Sequence, residues 1–235
     1  MRKFFWNGEN QDGAVVLTGT EASHISKVLR IEAGQTVILC DGNYNDYLAA
    51  VEHIDRNSVK LKLGKKILEK NEPKLDTTLY LAYTKGDHLD FAVQKSVELG
   101  VNEIKLFISE RCIAAGSANK LERLNRIAFE AAKQSGRSRL INVSDAGSFS
   151  DVLLSAEGLK LFCYELASQS IRTLITNLPE KVSVICGPEG GFAESEAKSA
   201  AEAGWECVSL GKRILRAETA PLAALAIIMY QAFEI

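Results

Sequence analysis

The chain has 235 residues, of which 46% are hydrophobic and 25% are charged, a composition typical of a soluble globular protein with one large or two ordinary domains. Its formal net charge of −2 excludes a polycationic protein, so any nucleic-acid site must be a local basic patch. Five widely spaced cysteines without a CxxC pair, and only three histidines, argue against a disulfide framework and against a metal site.

The two ends of the chain bear on its location. The N-terminal sequence MRKFFWNGEN has a basic start but lacks the apolar core of a signal peptide. The longest apolar run, Ala220 to Tyr230, is too short to span a bilayer. We therefore expect a cytoplasmic protein that does not associate with membranes.

The first part of the chain reads mainly as strands. Alternating apolar residues predict strands at 36–40, 46–54 and 58–67, separated by the turn sequences DGNYN and DRN. A helix-like segment at 21–30 interrupts them. Residues 1–70 are therefore predicted to form a small β-barrel or sandwich.

The second part alternates between strands and helices. The polar stretch EKNEPK (69–74) contains the first of only four prolines and is predicted to be a linker, which divides the chain into residues 1–70 and 71–235. Beyond it, the predicted strands are 77–83, 103–108, 160–164, 182–186 and 206–210, and the clearest predicted helices are 88–100, 119–134 and 218–235. This alternation indicates an α/β layer with a mostly parallel sheet.

The last predicted helix, 218–235, is apolar on nearly every side between Ala220 and Tyr230. Such a helix is buried all round. The sequence leaves open whether the core of the same chain or a second subunit covers it.

Three segments carry the chemistry: QSGRSR (134–139), GPEGGF (187–192) and LGKRILRAETAP (210–221). In a parallel sheet, the loops after the carboxyl ends of the strands line the ligand crevice, and two of these segments follow predicted strands. Glycine allows a backbone to approach a ligand closely, although GPEGGF is also compatible with a simple tight turn. The sequence has no HExxH, GxSxG, P-loop or GxGxxG motif.

The same segments contain a cluster of cationic side chains, although the protein as a whole is slightly acidic. Arginine forks suit phosphates and planar bases. Solvated helix ends, or ion pairs with Glu189 and Glu218, are the alternative. The cationic side chains are Arg137, Arg139, Lys212, Arg213 and Arg216.

Four motifs occur in order along the chain: QKSVELGV (94–101), AAKQSGR (131–137), GPEGGF with Glu196 beyond it, and LGKRILRAETAP. Together they resemble one known family, the 16S ribosomal RNA uridine-N3 methyltransferases of the SPOUT superfamily. In addition, HISKVLRIEAGQ (24–35) is similar to the N-terminal domain of that family, so the resemblance covers essentially the whole chain. One departure is that the proline usual after QSGR is replaced here by SRLINV.

The resemblance implies a fold, a reaction and partners. The fold is a PUA-like β-barrel that binds RNA over residues 1–70, followed over 71–235 by a mostly parallel α/β domain with a deep trefoil knot that binds cofactor and dimerises. The implied activity is the transfer of a methyl group from S-adenosylmethionine to N3 of a uridine in 16S ribosomal RNA, position 1498 in the family, by a homodimer without a metal. Two alternatives stay open: a SPOUT methyltransferase acting on another RNA atom, such as a ribose 2′-hydroxyl, and a non-catalytic RNA-binding assembly protein.

Site residues follow from the matched motifs. For the uracil, Arg137 and Arg216 are expected to stabilise the developing anion, with Glu218 or Glu189 holding them, and no general base can be named. The residues expected to hold the cofactor are Leu166, Gly187, Pro188, Glu189, Gly190, Gly191, Leu210, Gly211, Ile214 and Leu215. Those expected to contact RNA are Arg2, Lys3, Lys27, Arg30, Arg139 and Arg213, with Lys60, Lys62, Lys65 and Lys66 as further candidates.

Overall fold

The computed structural model describes residues 1–6, 13–68, 71–113 and 116–235, which fold as two compact units. The first unit contains Met1–Glu72 and Ala132–Leu140, and the second contains Pro73–Ala131 and Ile141–Ile235. Within the predicted linker, residues 69 and 70 lie outside the described residues. The sequence division at residue 70 did not assign 132–140 to the first unit.

The first unit is built on five strands: β1 (Lys3–Phe5), β2 (Ala14–Thr18), β3 (Thr36–Cys40), β4 (Asp46–Ile54) and β5 (Ser58–Ile67). They form one sheet in the order β1-β3-β4-β5-β2. Strands β1 and β3 pair in parallel, and the other neighbours pair antiparallel. The predicted strands at 36–40, 46–54 and 58–67 are confirmed.

Alternation along β5 shows why this sheet forms. Val59 and Leu61 are fully buried in the core of the unit, whereas Lys60 and Lys62, which alternate with them, are exposed. An alternating strand packs one face on a core and leaves the other in water. Lys60 and Lys62, two of the candidate RNA contacts, therefore lie on the exposed face.

The helix predicted at 21–30 begins and ends two residues earlier, and its second half is π-helical. Helix α1 (Gly19–Ser23) continues as a π-helical segment, His24–Val28. Arg30 has φ +50°, and this left-handed residue ends the helix, because the N–H of Ile31 then reaches the carbonyl oxygen of Ile25 at 3.0 Å.

The second unit contains six strands: β6 (Asp76–Ala82), β7 (Glu103–Ile108), β8 (Val143–Ser148), β9 (Leu159–Cys163), β10 (Lys181–Cys186) and β11 (Glu206–Val208). They form one sheet in the order β11-β9-β10-β6-β7-β8. Every pair in this sheet is parallel, which confirms the predicted α/β class. Its helices are α2 (His88–Glu98), α3 (Ala118–Ser135, whose last four residues belong to the first unit), α4 (Phe149–Ser155), α5 (Ile171–Leu174), α6 (Glu194–Glu202) and α7 (Thr219–Gln231).

An aromatic cluster anchors the glycine-rich loop that follows β10. Phe192, at the end of GPEGGF, is 2% exposed and packs on Phe162 of β9 with ring centroids 4.3 Å apart. It also stacks on Phe107 of β7. Burying a phenylalanine contributes about 1.5–3 kcal/mol, so the loop is held by its far end as well as by the strand.

Helix α7 has two different faces. Ala224, Leu225, Ile228 and Met229 are fully buried in this chain. At the C-terminal end of the helix, Tyr230 is on the other side and is 73% accessible. The core of the chain therefore covers one side of the helix predicted to be buried all round.

Candidate functional site

The second unit contains a cavity of about 540 Å³ at the carboxyl ends of β9, β10 and β11. Its walls are the segments 163–165, 186–192 and 209–220, and His88 contributes from the start of α2. In a parallel sheet all strands end at the same edge, which is where such a crevice forms. The cavity therefore brings together two of the three segments that the sequence singled out.

The first wall is the loop 187–192, and packing explains its glycines. Gly191 has φ +66°, and its N–H donates to the carbonyl of Pro188 at 2.9 Å, closing a tight turn. A Cβ on Gly191 would lie 2.7 Å from Oε1 of Glu165, and one on Gly187 would lie 2.8 Å from the Phe192 ring. Only glycine lets this loop pack so closely.

A buried carboxylate fixes the same loop to the one that follows β7. Glu196 is 7% exposed; its Oε2 accepts from the N–H of Ala193 and its Oε1 from the N–H of Glu110, both at 2.9 Å. The guanidinium of Arg111 donates to the carbonyl of Gly190 at 3.0 Å. These bonds tie the wall to the start of α6 and to the loop that follows β7.

The second wall, 209–218, links β11 to α7. The backbone carbonyl of Arg216 accepts from the N–H groups of Thr219 at 2.9 Å and Ala220 at 3.0 Å, which forms the first turn of α7. Arg216 therefore lies where the wall joins the helix. The wall contributes three apolar side chains to the lining: Leu210, Ile214 and Leu215.

Two arginines bring positive charge to the cavity. Arg213 and Arg216 line it and are exposed, and neither guanidinium has a bonded partner among the described residues. The predicted pairing with Glu189 or Glu218 is wrong, because both carboxylates are engaged elsewhere. Glu189 accepts from the backbone N–H of Lys85 at 2.8 Å, and Glu218 contacts Nδ1 of His88 at 3.1 Å.

Two other titratable groups in the lining stay neutral. Burial, with Glu165 and Glu194 nearby, raises the pKa of the Tyr164 phenol. A hydrogen bond with Cys163, together with burial, raises the pKa of the Cys186 thiol well above its usual range. Neither group supplies an anion near neutral pH.

Most of the residues expected to hold a cofactor line the cavity. Leu166 does not: its side chain is 76% exposed and outside the lining. Tyr164 and Glu165, the two residues before it, form that wall instead. The lining contains the predicted Gly187, Pro188, Glu189, Gly190, Gly191, Leu210, Gly211, Ile214 and Leu215, together with Arg213, Arg216 and Glu218.

Arg137 lies in the first unit and is not among the residues that line the cavity. It is 2% exposed, and its guanidinium binds the carboxylate of Glu72, with Nη2 to Oε2 at 2.7 Å. Glu72 also accepts from the backbone N–H groups of Ser138 and Arg139. This network ties 137–139 to the end of the first unit, so the geometry supports a structural rather than a catalytic role.

The residues expected to contact RNA differ in exposure. Arg2, Lys27 and Arg30 are exposed. Lys3 is not available, because its ammonium binds Asp46 at 2.7 Å and its side chain is 11% exposed. Arg139 is half-buried, with Nη1 donating to the hydroxyl of Tyr44 at 2.7 Å.

Sequence reasoning missed several lining residues. Ser209 and Ala217 lie beside or inside the quoted motifs and follow from them. His88 has no local signal, because nothing near it in the sequence distinguishes it from an ordinary helix-start residue. Its partner Glu218 lies far along the chain, so only the fold reveals the pair.

Neither a membrane helix nor a metal cluster is found in the described part of the chain. Within residues 1–6, 13–68, 71–113 and 116–235, no helix has both the length and the apolar character needed to cross a bilayer. Across those same ranges, no group of three or more His, Cys, Asp or Glu side chains is arranged to hold a metal ion.

Two family models and several known proteins match most of the chain. Residues 70–229 match the model of an RNA methyltransferase domain, and residues 17–64 match that of an RNA methyltransferase PUA domain. A ribosomal RNA small subunit methyltransferase E from Mesomycoplasma hyopneumoniae is 35% identical, over 94% of this chain and 96% of that protein. The protein of that name from Bacillus subtilis is 31% identical, over 92% and 89%.

Solved structures of two methyltransferases align with nearly the whole chain. A ribosomal RNA small subunit methyltransferase E from Neisseria gonorrhoeae, bound to S-adenosyl methionine, aligns with TM-score 0.90 and 34% identity over 98% of this chain and 97% of that chain. A Legionella pneumophila protein described as a methyltransferase with bound cofactor SAM aligns with TM-score 0.87 and 29% identity over 97% and 96%. With its parallel sheet, its glycine-walled cavity and its N-terminal PUA domain, the chain is a member of the ribosomal RNA small subunit methyltransferase E family of RNA methyltransferases.

Proposed function

We propose that this protein transfers a methyl group from S-adenosylmethionine to N3 of a uridine in 16S ribosomal RNA of the small ribosomal subunit. The observation that carries the proposal is the cavity, whose walls 186–192 and 209–220 are the motifs shared with the family. Relatives named as ribosomal RNA small subunit methyltransferases match over 96% and 89% of their own length, which supports the RNA substrate.

The lining fits S-adenosylmethionine. A cavity of about 540 Å³ is in the usual range for a small-molecule site, about 300–1,000 Å³. Leu210, Ile214 and Leu215 offer an apolar surface for the planar adenine, and the backbone of 187–191 offers polar groups. At Gly211 the space that a Cβ would take is open to 4 Å, which leaves room for a ligand against the main chain.

The reaction requires two contributions from the side chains of this protein. When bound, S-adenosylmethionine supplies a methyl group whose bond to sulfur breaks as the N3 lone pair forms the new bond. The N3 proton must leave, and the negative charge that develops on the uracil oxygens must be stabilised. Arg216, exposed in the cavity lining, is the proposed donor to those oxygens. N3 lies on the Watson–Crick edge, so the uridine must be unpaired or flipped out.

Binding of the cofactor should depend on Gly191. The change Gly191→Ala forces a left-handed alanine, which strains the turn, and sets its Cβ 2.7 Å from Glu165 Oε1, so the Glu165 side chain of the lining must move. We expect calorimetry to show an S-adenosylmethionine affinity at least about tenfold weaker, about 1.4 kcal/mol. Gly204→Ala is the matched control, because Gly204 has φ +81° with open space around it and lies outside the lining. Equal affinities in the two variants would contradict the assignment of this wall.

The first unit is the proposed RNA-binding unit, since residues 17–64 match a PUA domain. Lys27 and Arg30 are exposed on it. The double change Lys27→Ala/Arg30→Ala should weaken RNA binding and lower the slope of log affinity against log salt by about one for each lost phosphate contact. Lys198→Ala, exposed on α6, is the control. An unchanged slope in the double variant would show that Lys27 and Arg30 do not contact the RNA.

The family also implies a homodimer, a trefoil knot and a cytoplasmic location, which we include in the proposal. The exposed end of α7 supports the dimer: Tyr230 and Phe233 are 73% and 93% accessible in the single chain. Tyr230→Glu should then shift the protein to a monomer in sedimentation, and a variant dimer as stable as wild type would exclude this face.

The position of β9 between β10 and β11 is compatible with a knotted connection.

Two measurements test the reaction. Calorimetry with S-adenosylmethionine should give saturable binding, which a non-catalytic assembly protein does not need. Incubation of the protein with methyl-labelled S-adenosylmethionine and small ribosomal subunits that lack the modification should then label the 16S RNA. Binding without transfer would favour the assembly protein.

A further inference from the structure

One histidine lies in the cavity, next to a carboxylate that holds it. Nδ1 of His88 and Oε2 of Glu218 are 3.1 Å apart, and both side chains belong to the lining. The His88 side chain is 36% exposed and the Glu218 side chain 16%. The imidazole is therefore accessible from the cavity while its partner is mostly enclosed.

The pair is built into the fold from two elements. His88 is the first residue of α2, and Glu218 immediately precedes α7, two helices that pack on each other. A carboxylate on Nδ1 fixes the ring orientation and places the proton on that nitrogen. Among the described residues no bond to Nε2 is found, so in this tautomer its lone pair is free to accept a proton.

We propose that His88 is the general base that removes the N3 proton of the target uridine, and that Glu218 positions it. The inference rests on the proposed function and supplies the proton acceptor that the sequence could not identify. The N3–H bond breaks, its electron pair stays on N3, and the proton passes to Nε2 of His88. The resulting imidazolium is stabilised by the Glu218 carboxylate on its other nitrogen.

Charged groups of both signs surround the imidazole. Glu218 contacts Nδ1, and the N-terminus of α2 brings positive partial charge to the same place. The other charged groups of the cavity lining are Glu165, Glu189, Arg213 and Arg216. Those on α2 or just before it are Lys85, Asp87, Asp90, Lys95 and Glu98.

Kinetics form the first half of the test. Wild type, His88→Gln and His88→Ala are compared in single-turnover methylation of small ribosomal subunits that lack the modification, with S-adenosylmethionine affinity measured by calorimetry. We expect the rate to fall about 10²- to 10⁴-fold in both variants, the affinity to stay near wild type, and added imidazole to restore part of the rate of His88→Ala. The wild-type rate should fall with decreasing pH as the imidazole protonates, and the His88→Gln rate should lose that dependence.

NMR of histidine-labelled protein gives a readout independent of turnover. The chain has three histidines, so the His88 ring signals are identified by their loss in His88→Gln. We expect the neutral tautomer with its proton on Nδ1, and a mixture of tautomers in Glu218→Gln. A ring protonated at neutral pH, a His88→Gln rate equal to wild type, or a His88→Gln variant that no longer binds S-adenosylmethionine would each overturn the inference. Failure of wild type to methylate the subunits would instead reject the proposed function itself.

Discussion

The change Arg216→Ala is expected to lower kcat about 10²- to 10³-fold, the usual effect of removing one donor to a developing oxyanion. Arg216 is exposed in the cavity lining, and its backbone carbonyl starts α7 through bonds that alanine retains. The affinity for S-adenosylmethionine should therefore change little. Steady-state kinetics with small ribosomal subunits, together with calorimetry, check both parts.

Two further variants sharpen this prediction. Arg216→Lys should restore activity poorly, because an ammonium cannot replace the planar fork of a guanidinium. Arg172→Ala, at an exposed arginine outside the cavity, should behave like wild type. If Arg216→Ala kept its kcat but changed its sedimentation or melting temperature, Arg216 would be holding the fold or a dimer rather than the transition state.

The change Arg137→Ala is expected to destabilise the first unit by about 3–5 kcal/mol, the usual cost of removing one partner of a buried ion pair. The side chains of Arg137 and Glu72 are both only 3% exposed, so the glutamate would remain buried without its main counter-charge. Unfolding in urea measures the loss. Arg56→Ala, exposed in the same unit, should stay within about 0.5 kcal/mol of wild type.

The same variant separates the two roles considered for Arg137. As a structural residue, it should affect stability, while kcat measured well below the melting temperature stays near wild type. A stable Arg137→Ala protein with a large loss of kcat would restore the catalytic role expected from the sequence.

The fold was largely predictable where hydrophobic pattern decides it. Strands β3, β4 and β5 alternate over five to ten residues, and β7 and β10 are six-residue segments in which four residues are apolar, so both kinds were identified. Strand β8, with the sequence VSDAGS, was not, because its residues are mostly polar or small and only pairing with β7 makes it a strand. The contribution of 132–140 to the first unit depends on Glu72, which a linear division of the chain cannot anticipate.

The site was predictable to the extent that its residues are neighbours in sequence. The loops 187–191 and 210–218 carry glycines and arginines in recognisable strings, and they do line one cavity. Pairs such as His88–Glu218 and Arg137–Glu72 join residues far apart in the chain. The sequence does not show which residue each of these side chains contacts, because only the fold brings the partners together. The arginine–glutamate pairing expected in the cavity was wrong for the same reason.

The central claim, methylation at uracil N3, is tested most directly by nucleoside mass spectrometry. Small ribosomal subunits that lack the modification are incubated with the protein and S-adenosylmethionine, and their 16S RNA is digested to nucleosides. The account predicts the appearance of 3-methyluridine, dependent on both protein and cofactor. A 2′-O-methylated nucleoside, or no new methylated nucleoside with a protein that binds S-adenosylmethionine, would contradict it.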